Sequence, residues 1–489
     1  MRSILTSRKE LEMNRFLRSF FLACIFILAS GAVLLAQNTN EEEAGGAESP
    51  KKGGDTESAA EEKEGPEVDF DLQIGIGSRT FNEEGGEKVT YQSFTLTPEL
   101  TIGKFGLGLN LTMNFRFTGG PNNDQFEIRR EDWVPDSASD FLPTYLPKFK
   151  YIRWAQKGEP LYARLGEIEN GLLGNGYIMS GYTNTLFLPE LPIFGLSFDL
   201  DGQLFNFPYV GIENFVGNLG AFDVLGSRIY VRPFAWTEPA ILKGLQIGVT
   251  GAADRRPFYH VPNTDSTGTV TMIGTDIMVP LLTKEMFTLS TFGDLVFQQN
   301  GTGGMVGFGG RIVKIVLYRA EIRFVGKNFI PVYFDATYDL YRHIKYQIYS
   351  GAETTPFYVA WYGMTGISVL DDMLSLTVSL DGPFGRRITE TVGGVAPENN
   401  PQNYPHLRAV FSMSKELFPI FLQASYDKQL IRTFSDLVSP EGSTIQASLN
   451  FKMGPAVISL AYRLKSKPDG SGGMNIESSS VIESFISLF

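Results

Sequence analysis

The chain has 489 residues, with 42 basic and 54 acidic side chains and a single cysteine. Apolar residues make up 43% and charged residues 20%, which excludes intrinsic disorder for the chain as a whole. One cysteine and three histidines argue against a disulfide scaffold or a rich metal centre. The high content of glycine, phenylalanine and tyrosine favours many strands and tight turns over helices.

The N-terminal segment has the pattern of a secretory signal peptide. Two arginines precede an apolar run that ends at Ala36, and a positive start, an apolar stretch and a small final residue are typical of export signals. We therefore predict a signal peptide over residues 1–36. A lipoprotein box with an acylated Cys24 is the alternative, although the run stays apolar well beyond this cysteine.

An acidic spacer is predicted over residues 37–67. From residue 38 onward it holds ten acidic residues, three lysines and no aromatic residue. Such a stretch cannot bury enough apolar area to offset the entropy lost on ordering. We interpret it as a solvated linker, and an electrostatic contact with the cell wall or a basic partner is the alternative.

The charge of the remaining chain gives no support for nucleic-acid binding. The segment before the spacer carries +3, the spacer −7 and the whole chain −12, so residues 68–489 carry −8. Binding to nucleic acid requires a basic face.

From Val68 onward, apolar and polar residues alternate with a period of two. The clearest example is residues 105–117, where seven apolar side chains alternate with small or polar ones. At ~3.3 Å per residue this run is about 40 Å long, enough to cross a bilayer at the usual strand tilt. The alternation predicts that Phe105, Phe115 and Phe117 face lipid and that Gly106 and Gly108 face the interior.

The same periodicity predicts twenty strands, within a range of sixteen to twenty-two. The region 305–325 is long for one strand and carries Lys314 on its apolar face, so the tally depends on how it is divided. The predicted strands are 68–80, 90–102, 104–118, 148–156, 160–168, 193–200, 203–213, 226–234, 243–253, 269–279, 286–297, 305–325, 331–340, 356–369, 373–381, 406–413, 418–427, 443–452, 455–464 and 479–489.

The connections between these strands alternate between short and long. Short turns on one rim and long loops on the other are typical of a transmembrane barrel with both chain ends on the short-turn side. We therefore predict an all-β fold, an antiparallel up-and-down transmembrane β-barrel over residues 68–489. Closure leaves no unpaired edge, so every backbone polar group is satisfied within the bilayer.

With its export signal, its alternating strands and its C-terminal Phe489, the chain resembles the outer-membrane β-barrel proteins of Gram-negative bacteria, in particular large porins. In that class, a terminal aromatic residue preceded by apolar residues at alternate positions directs barrel assembly. Here Phe485 and Val481 fit that pattern, whereas Ser487 and Glu483 do not. The resemblance implies outer-membrane lipid as the environment and the barrel-assembly machinery as a partner, and it leaves an oligomer open.

Charged residues opposite the apolar positions are predicted to face the lumen, because a charge facing lipid costs ~2–4 kcal/mol at mid-membrane. They form either a paired polar network that braces the wall or a transverse field that orients solutes. The predicted pore-lining residues are Arg116, Arg153, Arg164, Arg228, Arg232, Arg319, Glu321, Arg323, Asp335 and Asp339.

Two long connections, 119–147 and 169–192, are candidates for a segment that folds into the lumen as a constriction. An external cap is the alternative for each of them.

The sequence holds no recognisable catalytic motif. It has no Gly-x-Ser-x-Gly elbow, and His260, His343 and His406 lie in or beside predicted loops without a nucleophile at a useful spacing. We predict no enzyme activity, no catalytic residue, no metal and no cofactor.

The leading functional prediction is an outer-membrane channel for passive or weakly selective diffusion of small polar solutes. A fatty-acid-type transporter for hydrophobic substrates is the first alternative, but the acidic spacer is a poor candidate for a hatch. The second alternative is a surface adhesin or structural barrel that acts through its long loops.

Overall fold

The computed structural model describes residues 68–82, 87–118, 125–188, 191–261, 265–370, 373–385, 388–389, 397, 400–414, 419–468 and 474–487. The predicted signal peptide and spacer, residues 1–67, lie outside these residues. Among the residues described, no helix is both long and apolar enough to cross a membrane.

Strands dominate the described chain. They are β1 (Val68–Asn82), β2 (Lys88–Ile102), β3 (Phe105–Leu109), β4 (Leu111–Thr118), β5 (Gln125–Ile128), β6 (Phe149–Trp154), β7 (Leu161–Gly166), β8 (Gly171–Leu172), β9 (Ser180–Tyr182), β10 (Gly195–Asp201), β11 (Val210–Val216), β12 (Val224–Val231), β13 (Gln246–Asp254), β14 (Val270–Lys284), β15 (Phe287–Gln298), β16 (Gly301–Ile312), β17 (Val316–Val325), β18 (Tyr358–Val369), β19 (Leu374–Pro383), β20 (His406–Met413), β21 (Ile420–Lys428), β22 (Ser443–Met453), β23 (Ala456–Pro468) and β24 (Met474–Ser487). The α-helices are α1 (Phe141–Tyr145), α2 (Ala240–Lys243) and α3 (Tyr338–Ser350).

These strands form a closed antiparallel barrel of 20 strands. Two barrel positions are each shared by a pair of segments: β3 and β4 are one strand interrupted at Asn110, and β5 and β6 occupy successive parts of the next strand. β8 and β9 form a separate two-stranded sheet. The barrel closes where β1 pairs with β24, with Gly75 opposite Phe485.

The alternation in sequence becomes an apolar outer face and a covered inner face. On β12, the exposed Ile229 and Val231 flank the buried Tyr230, and Arg228 is buried on the same side as Tyr230. Likewise, Gly106 and Gly108 face inward beneath the Tyr151 ring, whereas Phe117 is exposed. An exposed apolar band around a closed antiparallel sheet is the pattern of a barrel that spans a membrane.

The predicted count of twenty is right, but three of its strands are assigned wrongly. The predicted strand 203–213 overlaps β11 only at residues 210–213, because residues 202–209 form the connection before it. Region 305–325 is not one strand: it holds most of β16 and all of β17, joined by a turn at residues 313–315. Val313 and Lys314 both have positive φ there (54° and 59°). The turn contains none of the glycine, proline or asparagine residues that mark most turns, so the sequence gives no sign of it.

The predicted strand 331–340 is not a strand either. Its second half begins helix α3, and its first half is irregular chain inside the barrel. Tyr333, Phe334 and Tyr338 are buried there in a cluster of aromatic and aliphatic side chains. The alternation in this segment therefore does not indicate a face on lipid. It belongs to a segment inside the barrel that is buried on several sides.

The residues of the last strand that fit the assembly pattern do not face lipid. Ile476, Ile482 and Ile486 are the exposed apolar residues of β24, whereas Val481 is buried and Phe485 packs over Gly75. Val481 and Phe485 thus face inward together with Glu483. Phe489 itself lies outside the described residues.

Candidate functional site: a polar passage beside a luminal plug

Two long connections fold inside the barrel. We call residues 167–188 and 326–357 the luminal plug. Their buried aromatic and aliphatic side chains form one cluster with inward-facing residues of β11 to β18, among them Phe215, Met272 and Met305. The lumen beside these strands is therefore filled with protein.

Backbone hydrogen bonds join the two halves of the plug. The Ser180 N–H donates to Phe334 O (3.2 Å), the Phe334 N–H donates to Ile178 O (3.1 Å), and the Val332 N–H donates to Tyr177 O (2.9 Å). These bonds satisfy backbone groups that would otherwise be buried without partners. The two connections consequently behave as one packed unit.

A buried arginine fixes helix α3 to the wall. The Arg342 guanidinium donates to both carboxylate oxygens of Asp254 (3.0 and 2.8 Å) and to Asp223 (2.8 Å), and it lies 3.5 Å from Asp339. Tyr182, from the other half of the plug, donates to Asp339 (3.2 Å). Three carboxylates around one guanidinium leave excess negative charge, and burial raises the pKa of Asp339 to about 7.

A third connection covers the inner face of β1 to β4. Trp133 is buried and its indole N–H donates to Thr112 O (3.0 Å), while Asn114 donates to Asp132 (2.8 Å). The Lys148 ammonium lies 4.2 Å from the centre of the Trp133 ring, and burial lowers the pKa of Lys148 to about 8. Residues 129–147 thus fold inward, as do residues 169–188, whereas residues 125–128 form β5 of the wall.

The tip of the plug rests on charged side chains of the wall. The Gly174 N–H donates to Glu213 (2.9 Å), Asn175 donates to Asp294 (3.1 Å), and Arg319 donates to Asn175 O (2.5 Å). These hydrogen bonds hold the tip beside the apolar packing of Leu173, which is buried in the cluster and lies against Gly226 of β12.

These contacts belong to a charged belt that follows the inner wall from strand to strand. We define the belt as Glu213, Arg228, Asp276, Asp294, Arg319, Glu321, Arg323, Asp381, His406, Arg408 and Asp427. Arg228 links Glu213 (2.7 Å) to Asp276 (2.6 and 2.9 Å). Both Arg319 and Arg323 donate to Glu321. The belt pairs almost every charge with an opposite one, which lowers the cost of burying them.

The belt continues to the side of the barrel that the plug does not fill. Arg323 lies 3.8 Å from Asp381, and His406 bridges Asp381 and Asp427 at 3.0 Å from each. Arg408 lies 3.6 Å from Asp427. His406 is therefore a half-buried link in a chain of charged groups and not an isolated loop histidine. The ring of His260 also has a protein contact, because it packs on the Phe187 ring with ring centres 4.3 Å apart.

A polar cavity of about 140 Å³ lies between the plug and the wall strands β20 to β23. We call it the polar passage. Inner-face residues of β20 and β22 are mostly only partly buried, in contrast to the alternate, fully buried positions of β12 and β14. The polar residues that line the passage are Glu169, Thr183, Thr185, Arg408, Ser412, Gln423, Ser425, Asp427, Thr444, Gln446, Ser448 and Arg463.

Opposite charges face the polar passage from its two sides. Arg408 and Arg463 project from the wall, whereas Glu169 belongs to the plug. Glu167 follows β7 directly, and burial together with the neighbouring Glu169 carboxylate raises its pKa. Asp427 lies on the same wall as the two arginines and is paired with Arg408 and His406, so acidic groups face the passage from both of its sides.

Four of the predicted pore-lining residues come together in the belt. Arg228, Arg319, Glu321 and Arg323 all point inward, and each is paired with an opposite charge. They support the plug, and none of them lines the polar passage.

Three further predicted residues lie on the inner wall near β4 to β7. Arg116 donates to Glu127 (2.8 Å), Arg153 stands directly opposite Arg164 in the strand register, and Arg164 donates to the Glu167 carbonyl (3.0 Å). The structure does not bring them to the belt or to the polar passage.

The last three predicted residues are held by local partners. Arg232 lies at the short-turn end of β12 and binds both oxygens of Asp201 (3.0 and 2.6 Å). Asp335 binds Lys345 (2.6 Å), and Asp339 belongs to helix α3. Both aspartates were expected on a strand, and both lie instead in the plug.

Sequence reasoning missed the charged residues of the passage itself. Arg408, Asp427 and Arg463 lie on predicted strands 406–413, 418–427 and 455–464, opposite the apolar positions of those strands. The signal that finds Arg228 was therefore present for them too. Glu169 lies in an irregular connection, where no periodicity indicates which way a side chain points.

In the part of the chain that the structure describes, no group of three or more histidine, cysteine or acidic side chains is arranged to hold a metal ion.

No family model matches the chain and no curated protein sequence matches it. Several solved structures are similar in shape at very low identity. The outer membrane protein OprD from Pseudomonas aeruginosa is 9% identical, covers 87% of this chain and 94% of its own, and has a TM-score of 0.30. The outer membrane channel DcaP of Acinetobacter baumannii is 10% identical, with coverages of 87% and 98% and a TM-score of 0.27.

A third similar structure is Wzi of Escherichia coli, described as an outer membrane protein involved in group 1 capsule assembly and a carbohydrate-binding β-barrel. It is 10% identical, with coverages of 86% and 84% and a TM-score of 0.33. Overlaps this low do not assign a family, and no functional residue is transferred from these proteins.

Proposed function

We propose that this chain is an outer-membrane channel through which small polar solutes diffuse with weak selectivity. The observation that carries the proposal is the polar passage between the luminal plug and strands β20 to β23. On the inner side of β11 to β18, by contrast, the apolar cluster of the plug and the paired charges of the belt occupy the space.

The outer membrane is the environment that the wall of the barrel fits. Side chains such as Ile229, Ile277 and Phe324 are exposed on the outer face, and their strand neighbours are buried. Exposed apolar side chains in such numbers favour contact with lipid over contact with water. A closed sheet also leaves no backbone edge to the hydrocarbon.

The lining of the passage favours polar solutes over hydrophobic ones. Hydroxyl and amide groups from Thr183, Gln423 and Gln446 meet in it, and these groups replace the water around a polar solute. A polar solute can exchange hydrogen bonds with them, whereas an acyl chain offers none. The cavity has a volume of about 140 Å³, which is room for a small molecule.

The test is conductance of the purified protein in planar lipid bilayers. The proposal predicts discrete current steps of small amplitude, because the plug fills much of the lumen. Replacing Gln446 by tryptophan narrows the passage and lowers the unit conductance, whereas the same replacement at Ile277, on the outer face, is the matched control and leaves it unchanged.

A folded, heat-resistant barrel that conducts no current, or a Gln446→Trp variant with normal conductance, would overturn the proposal. Parallel uptake assays with a labelled fatty acid separate the hydrophobic-substrate alternative from this one.

A second candidate function, a surface adhesin, is favoured by one observation. Phe434 and Val438 lie one helical turn apart in the 3₁₀ helix Phe434–Val438 and are 92% and 89% exposed. Two large apolar side chains this exposed on one short helix form a joint patch, and such patches are candidates for protein contact. Replacing both by serine should abolish binding to cells or matrix and leave conductance intact.

A further inference from the structure

Two neighbouring connections on the short-turn side of the barrel differ from the other turns on that side. Residues 202–209 join β10 to β11, and residues 232–245 join β12 to β13. We call these two turns together the apolar foot. Both contain a short helical segment, Gly202–Phe205 in the first and α2 in the second.

The foot exposes large apolar side chains. Phe205 is 68% exposed and Trp236 is 71% exposed. Phe207, Ile241 and Leu242 are exposed as well, and the first turn has no charged residue. Two turns in contact with water would not normally carry this surface.

The foot is built as one unit. The Arg232 N–H donates to Tyr209 O (2.7 Å), and its guanidinium donates to Pro208 O (3.2 Å) and to both oxygens of Asp201. Tyr230 donates to the same carboxylate (2.9 Å). The charges of Arg232 and Asp201 are therefore paired and mostly covered, so they do not keep the foot in water.

The strands above the foot are short. β10 and β11 have 7 residues each and β12 has 8. At ~3.3 Å per residue and a tilt of about 40°, seven residues span roughly 18 Å along the membrane normal, less than the apolar band of about 25 Å in outer-membrane barrels. By contrast, β14 has 15 residues and ends in a turn of two residues.

We propose that the apolar foot lies within the lipid leaflet on the short-turn side and supplies the apolar height that β10 to β12 lack. This inference relies on the membrane location proposed above. The foot continues the lipid-facing surface directly, because Ile229 and Val231 of β12 and Ile247 of β13 are exposed on the strand ends that lead into it.

The polar residues of the foot agree with this depth. Glu238 and Lys243 stay exposed on the second turn, as expected of side chains that reach the headgroup layer, where lysine extends its ammonium to water. Tryptophan and phenylalanine are the side chains that barrels place at this boundary.

Fluorescence quenching of the full chain in lipid vesicles tests the proposal. In a Cys24→Ser background, a polarity-sensitive dye is attached to Phe205→Cys or Trp236→Cys. Ile229→Cys serves as the lipid-facing control and Glu285→Cys, in the turn after the long strand β14, as the aqueous control. Heat-dependent gel mobility confirms that each variant is folded.

We expect a lipid brominated on its acyl chains to quench both foot labels to a degree comparable with the Ile229 label. Iodide in the buffer should quench only the Glu285 label. If iodide quenches the foot labels while the brominated lipid quenches the Ile229 label, the proposed depth of the foot is wrong and the membrane location of the barrel stands.

If the Ile229 label also escapes the brominated lipid, the membrane location fails together with the foot. A foot label protected from both quenchers, with energy transfer between labelled copies, would show that a second copy covers the surface and would likewise overturn the proposal.

Discussion

Gly181 of the plug lies against the guanidinium of Arg408 on the wall: a Cβ built on this glycine would stand 3.5 Å from Arg408 Cζ. Gln446 donates to Thr185 (3.4 Å) only a few residues further along the plug. These are two of the places where the plug touches strands β20 to β22. Arg408, Thr185 and Gln446 also line the polar passage, so these contacts limit its width.

Gly181 also has a backbone conformation that other residues rarely adopt, with φ at 73°. We expect Gly181→Ala to lower the free energy of unfolding by about 1–2 kcal/mol, because a Cβ in this region meets its own backbone. Urea titration in lipid vesicles measures the change. Gly251→Ala is the matched control, since nothing lies within 4 Å of its Cβ position, and an equal loss in both variants would contradict the prediction.

The two wall arginines of the polar passage should control ion selectivity. Removing one unit charge close to a hydrated ion changes its energy by roughly 1 kcal/mol, which is about a fivefold change in permeability ratio. Arg408→Gln and Arg463→Gln should therefore shift the reversal potential in a salt gradient toward cations, and Glu169→Gln should shift it toward anions.

Arg232→Gln, at the short-turn end of the barrel, is the control for this series and should leave the reversal potential unchanged. Identical reversal potentials for all four variants and the parent would show that the permeating ion does not pass these side chains.

Arg342 should be the charged residue whose loss costs the most stability in the plug. Arg342→Met leaves Asp223, Asp254 and Asp339 buried without a counter-charge, which costs about 3–5 kcal/mol. The exposed pair Glu285–Lys314 is the comparison, because breaking such a pair with Glu285→Gln costs no more than about 1 kcal/mol. Equal midpoints of urea unfolding for the two variants would refute this ranking.

The carboxyl of Asp339 should make plug stability depend on pH. Burial raises its pKa from 3.8 to about 7, so the folded state binds this proton more tightly than the unfolded state does. The resulting stabilisation is complete below the unfolded pKa and is lost as pH rises to about 7. Thermal unfolding of the parent and of Asp339→Asn between pH 4 and 8 measures it.

The melting temperature of the parent minus that of Asp339→Asn should fall as pH rises toward 7. Above about pH 7 this difference should stay constant. A difference that is the same at every pH would mean that Asp339 is ionised, or protonated, throughout.

Much of the barrel wall follows from alternation alone. On β12, the order Arg228, Ile229, Tyr230 correctly predicts which side chains face inward, because one face meets lipid and the other meets protein. The same rule fails where a turn has no glycine or proline, as at Val313 and Lys314. It also fails at Tyr333, which alternates with its neighbours inside a buried segment that meets no lipid.

The plug could not be predicted from local pattern. Tyr177 and Phe329 stack with ring centres 5.5 Å apart, although they belong to different connections, and nothing in either stretch indicates the other. Their burial depends on the diameter of the closed barrel and on which wall residues leave room. Periodicity reports the face of a strand and carries no information about what fills the space that the strands enclose.

The plug also constrains the order in which the molecule is completed. Tyr341 of helix α3 donates to Ser466 O (3.1 Å), and Ser479 donates to Leu188 O (3.4 Å). Both partners lie on β23 and β24, which follow the plug in the chain, and β24 closes the barrel against β1. Until those strands close the wall, the interior cannot expel all its water, so the final desolvation of the lumen coincides with barrel closure. The two halves of the plug therefore stay partly hydrated until the barrel closes.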